Sequence, residues 1–249
     1  MLGGRSLPEE ENMKIAVLSD IHANSFALKE VISDLRQIRV DKTVFLGDLI
    51  MTGPNPLESL QLLQELDPFI WIQGNTDNWL AGLKKDFIPK NEMEVFLKKL
   101  HDFAISYIDE NFQNELVKKP IVDHFTYDNN KIIFCHGSPK TFSQGLLTTT
   151  KKQIVIDAFD STKADVIVCG HTHIPTILQV QGKVLINFGS ISIPGNDFCK
   201  EARYGIIDFH DGIISYSFRN VKYDLEAFFN EMRIRNFPGI NQVKEKFGF

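Results

Sequence analysis

Five apolar runs in this chain each end in a residue able to hold a metal, and that repetition limits what the chain can fold into more than any other feature. Ala164 to Val168 leads to Cys169-Gly170-His171-Thr172-His173, and Ile15 to Leu18 leads to Asp20-Ile21-His22. Asp48 follows Thr43 to Gly47, Asn75 follows Phe69 to Gly74, and His136 follows Lys131 to Cys135. In extended backbone, residues i and i+2 point to the same side, so each paired spacing predicts two side chains aimed at one point. A single histidine or aspartate at a strand end ordinarily caps a turn or helix. A set of seven at five strand ends argues differently, because open α/β sheets place their ligands outside the carboxyl ends of the strands. Four of the chain's seven histidines fall in this set. Imidazole nitrogens and carboxylates suit borderline divalent metals, and seven such groups are too many for one ion but suit two.

The first half alternates strand and helix, the pattern of right-handed crossovers and a parallel sheet. Ala27, Leu28, Val31, Ile32, Leu35 and Ile38 form the stripe of an amphipathic helix capped by Asn24 or Ser25. Asn55-Pro56 with Glu58 predicts a second helix start, and Thr150 to Gln153 a capping box opening a third helix through Phe159. From residue 174 the chain reads as short strands with hairpin signals at Gln181-Gly182 and Asp211-Gly212. These strands are expected to form a second, antiparallel or mixed sheet packed on the first. The fold class expected is therefore α/β, two packed mixed β-sheets flanked by helices in a four-layer α/β/β/α sandwich.

A largely helical insert is expected at about residues 80–120, entering straight after Asn75 and placed to overhang the strand ends. Residues 1–12, with Gly3-Gly4 and Glu9-Glu10-Glu11, read as a flexible leader to one domain over 13–249. A helix is expected around Leu225, Phe228 and Phe229, with no assignment beyond Pro238. A net charge of -5 argues against generic nucleic-acid binding, which depends on lysine and arginine, while leaving room for a local nucleotide site. Three cysteines without CxxC spacing point to a reducing, cytoplasmic setting, and no apolar run approaches the roughly 20 residues of a membrane span. Cys135 and Cys169 read as small core hydrophobes.

In order, Asp20-x-His22, Gly47-Asp48, Gly74-Asn75, His136 and Gly170-His171-x-His173 resemble the calcineurin-like metallophosphoesterase superfamily, over roughly residues 13 to 220. Asn187-Phe188-Gly189-Ser190 resembles the Asn-Pro-Gly-Ser turn of its small prokaryotic phosphodiesterase branch, with Phe188 in place of proline. The resemblance implies a two-sheet sandwich and two divalent ions, manganese, iron, zinc or nickel. Asp20, His22 and His173 would hold the first ion; Asn75, His136 and His171 the second; Asp48 would bridge, with Asp48, Asn75 and His136 as the catalytic set. The activity implied is hydrolysis of a phosphoester or phosphoanhydride in a small phosphorylated substrate, a nucleotide or dinucleoside polyphosphate being one subclass. Trp79 is a candidate to stack on a base, and Lys140 and Arg203 are basic residues considered for phosphate contact. The alternative is a non-catalytic metal-binding interaction scaffold, since the superfamily includes a retromer subunit that serves mainly in protein binding. Thr76 stands where many members carry a histidine acid, and Ala23 where glycine is common.

Overall fold

The structure, a computed structural model, describes residues 12–83, 87–127 and 129–249. The leader expected over 1–12 lies outside these residues except for Asn12, which is the first residue of a strand.

The first five-stranded sheet is built on β1 (Asn12–Leu18), which pairs in parallel with β2 (Lys42–Phe45), and β2 in parallel with β3 (Ile70–Trp71). Between them α1 (Ser25–Ile38) and α2 (Pro56–Leu66) return the chain. Asn24 caps α1 by accepting from the Ala27 N–H at 3.0 Å, as the sequence predicts. At α2, Pro56 takes the first helical position, but Asn55 makes no side-chain cap and Glu58 accepts instead from Ser25 and Lys29. α3 (Asn75–Gly82), α4 (Glu92–Ile105) and α5 (Glu110–Leu116) follow; Leu80, Leu100, Ala104 and Leu116 are buried in the same cluster as the α1 stripe.

The second sheet has the order β4-β5-β6-β8-β7: β4 (Val122–Tyr127), β5 (Asn130–Cys135), β6 (Val166–Cys169), β7 (Thr176–Val180) and β8 (Lys183–Asn187). α6 (Lys152–Thr162) connects β5 to β6. It has no capping box: Lys151 is the cap, and the Thr150 hydroxyl accepts from the Leu147 N–H at 2.9 Å, which closes a turn before the helix.

One expectation about the sheets is corrected. β9 (Ala202–His210) and β10 (Ile213–Val221) do not join the second sheet but return to the first, where β9 lies antiparallel to β1. The reason is burial: Ile207 and Phe209 of β9 face the intersheet core, while Ala202, Tyr204 and Ile206 face α1. Both faces of β9 need a covering layer, and the open edge of β1 supplies that position. The hairpin turns are as expected, with Gln181, Gly182, Asp211 and Gly212 all at positive φ.

The two mixed sheets face each other across Ile15, Val17, Val44 and Leu46 on one side and Ile132, Phe134, Val166 and Val168 on the other. α6 covers the outer face of the second sheet through Val155, Ala158 and Phe159. α7 (Leu225–Ile234) and α8 (Ile240–Lys246) join α1 on the outer face of the first, burying Phe228, Met232 and Val243. This is the four-layer sandwich expected, and it sets the ends of β1, β2, β5 and β6 at one rim.

Candidate metal centre

At that rim the chain does not stay extended. Asp20, His22, Asp48, His171 and His173 all occupy the left-handed region, with φ of 57°, 47°, 61°, 66° and 59°. The i, i+2 argument from extended backbone is therefore corrected: turns beyond the strands aim the pairs inward. Backbone hydrogen bonds fix those turns, Asp20 N–H to Gly47 C=O at 3.0 Å, His22 N–H to Asp48 C=O at 3.0 Å and Gly170 N–H to His136 C=O at 2.7 Å. Glycine is needed here for close approach. A Cβ on Gly74 would lie 2.1 Å from Asp48 Oδ1, and one on Gly170 2.0 Å from Ser19 Oγ.

Each aspartate is held by one oxygen and presents the other. Asp20 Oδ2 accepts from Ser19 Oγ at 2.6 Å and from the His171 N–H at 3.2 Å. Asp20 Oδ1 faces inward, 3.1 Å from His173 Nε2 and 3.9 Å from both His22 Nε2 and His136 Nε2. Asp48 Oδ1 accepts from the Thr76 N–H at 2.8 Å, so Oδ2 alone faces His22 Nε2 at 3.7 Å and His136 Nε2 at 3.4 Å. A single inward oxygen between the two histidines, rather than both oxygens of the carboxylate, is the arrangement from which Asp48 could bridge.

The histidines are oriented in the same way. His136 Nδ1–H donates to the Leu46 carbonyl at 2.8 Å, which turns Nε2 toward Asn75 Oδ1 at 3.0 Å and Asp48 Oδ2. His22 Nε2 and His173 Nε2 meet at 3.3 Å. With Nδ1 of His136 donating outward, its Nε2 joins the Nε2 atoms of His22 and His173 and the inward carboxylate oxygens around one space. The inward Asp20 Oδ1 is buried without a hydrogen-bond partner. A cation satisfies such a constellation, and the donor set, imidazole with carboxylate, is one that divalent transition metals take.

Two ligand groups have their atoms within 4.8 Å of one another: Asp20, His22 and His173, and Asp20, Asp48 and His136. The first coincides with the set expected for one ion. The second centres on His136, with Asn75 beside it; His171 stands further out, its ring centroid 5.2 Å from that of His136.

The electrostatics follow from this crowding. Burial raises the Asp20 carboxyl, but the facing His173 and His136 together outweigh it and bring the group down to about 2. Burial raises the Asp48 carboxyl too, but His136, His22 and the Thr76 N–H together hold it well below the usual range. Burial alone would lower His136, yet the Asp48 and Asp20 carboxylates push it up to about 9.

Supporting residues complete the rim. Asp77 is fully buried; its carboxylate accepts from the N–H groups of Asp48 at 2.8 Å, Leu49 at 3.0 Å and Gly74 at 3.0 Å. It locks the Asp48 turn to the Asn75 helix start, and the signal for it was an acid at the third position of α3. Asn187 Nδ2 donates to the Gly170 carbonyl at 2.6 Å and to Thr172 Oγ1 at 3.0 Å, which holds the His171–His173 loop. Ser190 Oγ donates to the Asp20 carbonyl at 3.0 Å. Phe188, in place of the proline, is buried and packs at a tilt against Phe218, with ring centroids 5.2 Å apart.

His22, Asp48, Asn75, His171 and His173 line a cavity of about 540 Å³. Trp79 is not in its lining; it packs edge-on against His101 at 5.6 Å, joining α3 to α4. Lys140 does not line it either, and Arg203 pairs with Asp197 instead.

A model of the calcineurin-like phosphoesterase superfamily domain matches residues 13–212, and the chain belongs to that superfamily. An uncharacterized protein of Methanocaldococcus jannaschii is 28% identical over 242 residues, covering 90% of this chain and 93% of that protein. Among solved structures, a hypothetical protein of Pyrococcus horikoshii aligns with a TM-score of 0.78 at 16% identity over 94% of this chain and 96% of its own. A metallophosphoesterase of Sphaerobacter thermophilus aligns at 0.74 with 24% identity over 94% and 99%. At such identities these likenesses speak for the fold.

Proposed function

We propose that the chain hydrolyses phosphoester or phosphoanhydride bonds with two divalent cations, of manganese, iron, zinc or nickel, held by Asp20, His22, Asp48, Asn75, His136, His171 and His173. The observation that carries this reading is the inward Asp48 Oδ2, set between His22 Nε2 and His136 Nε2 while its partner oxygen is tied down by Thr76. When bound, two such cations neutralise charge developing on phosphoryl oxygens and lower the pKa of water toward neutrality, so that water serves as nucleophile.

The chain's own residues do the rest. Leu46 and Asp77 hold the histidine and the turns that present the ligands, which keeps reorganisation small during reaction. Asn75 contributes a neutral oxygen, so the site retains enough positive charge to attract phosphate. Thr76 also lines the cavity, and its hydroxyl does not ionise usefully near neutral pH. The leaving group therefore departs with little protonation, which suits phenolates and the phosphate of an anhydride. The substrate is a small phosphorylated molecule, a nucleotide included, and the reducing setting read from the cysteines is cytoplasmic. Residues 13–249 would act as one catalytic domain, with the helices between 80 and 120 as an accessory region overhanging the site.

Release of 4-nitrophenol from bis-4-nitrophenyl phosphate with manganese supplied, together with elemental analysis, tests the proposal. Two metals per chain with turnover support it. Metal bound with no turnover on any ester or anhydride would leave the interaction scaffold as the better reading.

A further inference from the structure

The cavity over the metal ligands is walled by parts of the chain that lie apart from the ligand-bearing strand ends. Phe96 and Leu100 come from α4, and Phe237, Gln242, Val243 and Lys246 from the C-terminal segment. That segment is beyond residue 212, where the family match stops. The two walls are one packed unit. Phe237 meets Phe103 of α4 edge to face at 5.1 Å, the Arg235 guanidinium lies over the Tyr107 ring at 5.2 Å, and a Cβ on Gly239 would come within 3.0 Å of Leu100 Cδ2.

The lining has a clear chemical character. Away from the metal ligands it combines the apolar side chains of Phe96, Leu147, Ile174 and Ile193 with uncharged polar ones such as Thr52, Asn196 and Gln242. Lys246 is the only lysine or arginine among the described residues that line it. A polyphosphate chain carries several charges beyond the one at the metals, and one exposed lysine cannot compensate them. An uncharged organic group with an apolar face loses water to these walls favourably, and the volume is within the range of small-molecule sites.

We propose that α4 and the C-terminal segment select the substrate, and that it is a phosphodiester whose second ester group is uncharged and aromatic in size, seated against Phe96, which the buried Phe237 and Leu100 back from the core. This rests on the hydrolytic reading above and adds the class of organic group. It disfavours the dinucleoside polyphosphates.

The test uses the manganese-loaded full chain and diesters that share 4-nitrophenol as leaving group but carry methyl, phenyl or 1-naphthyl as the second ester. Chemistry at phosphorus is then nearly constant, and KM should fall roughly 10–100-fold from methyl to naphthyl. Phe96→Ala should raise KM for the naphthyl ester roughly tenfold and leave the methyl ester within about twofold, with Phe96→Leu recovering part of the loss. Calorimetric titration with dimethylphosphinic acid and methyl(1-naphthylmethyl)phosphinic acid, in which every organic group is joined to phosphorus through carbon and no ester bond is present, supplies a readout without turnover. Preferential naphthyl binding, lost in Phe96→Ala, supports the proposal even if no ester is hydrolysed, an outcome that would instead sink the hydrolytic reading. Turnover or binding indifferent to the organic group, or a Phe96→Ala effect equal on methyl and naphthyl compounds, overturns it.

Discussion

A left-handed backbone at a non-glycine residue costs about 1–2 kcal/mol, and such a conformation persists only where its surroundings impose it. Asp20, His22, Asp48, His171 and His173 all adopt it, so the rim stores strain that its hydrogen bonds must hold. Asp77 is the residue most exposed to test. Its Oδ2 accepts two N–H groups and its Oδ1 a third. In Asp77→Asn one oxygen becomes an NH2 group, leaving a buried donor facing a donor, which should cost about 1–3 kcal/mol in urea denaturation and weaken metal binding. Unchanged stability and affinity would remove Asp77 from its positioning role. Thr76 makes a claim about chemistry. A histidine acid contributes ~10²–10⁴-fold by protonating a departing oxygen, and threonine cannot replace it. Rates on aryl phosphate esters should therefore fall steeply with leaving-group pKa, and Thr76→His should flatten the slope. A shallow slope in the parent would show that another group supplies the proton.

Among the elements, Asp34 shows how a helix is fastened to the sheet edge. It lies on α1 and accepts from Tyr204 Oη of β9 at 2.7 Å and from Arg219 of β10, Nε at 2.9 Å and Nη2 at 3.0 Å. Burial raises the Asp34 carboxyl, but the hydrogen bonds from Arg219 and Tyr204 outweigh it and hold the pKa below 3.8. Because the folded value is depressed, the stabilisation is present above 3.8 and is lost as pH falls through the lowered value. Asp34→Asn should cost about 1 kcal/mol at neutral pH, discounted because the Arg219 side chain is 40% exposed. Stability curves of parent and variant should converge in acid; a gap that stays constant with pH would mean that packing, not charge, is lost. The same strands show where sequence reading stops. Alternation and the Asp211-Gly212 turn identify the β9–β10 hairpin, but nothing local says which sheet edge it joins. β4 is not legible in the sequence because its pattern, intermediate burial with only Phe125 fully enclosed, carries little periodic signal. Thr150 satisfies a cap motif and yet bonds outside the helix, since a hydroxyl serves whichever N–H the tertiary fold brings to it. The ligand types and their order were legible because the chemistry fixes the residue. Their orientation was not, because it depends on left-handed turns that no spacing reveals. Phe237 and α8 were illegible as cavity walls for the same reason: their role depends on where the tail packs.

For the whole molecule, the centre is a junction between layers, since Asp20 and Asp48 follow strands of one sheet while His136, His171 and His173 follow strands of the other. Cations bound there would tie the sheets together and would bind the folded chain far better than the unfolded one, where the ligands are scattered. Each site filled at 100 times its dissociation constant should add about 2.7 kcal/mol of stability. At roughly 2–4 °C per kcal/mol for a chain of this size, chelation should lower Tm by about 5–10 °C per site, and readdition of manganese should restore it. The variants separate two ions from one. Asp48→Asn removes the charge of the inward oxygen between His22 and His136, and should reduce the metal-dependent Tm gain at both sites. His173→Ala removes a ligand only from the group with Asp20 and His22, so about half of the gain and one metal per chain in elemental analysis should remain. If His173→Ala abolishes the entire gain, the groups form a single site. If chelation leaves Tm unchanged in the parent while the chelated protein analyses as metal-free, the rim does not couple metal binding to folding, and the two-ion assignment fails at the scale of the molecule.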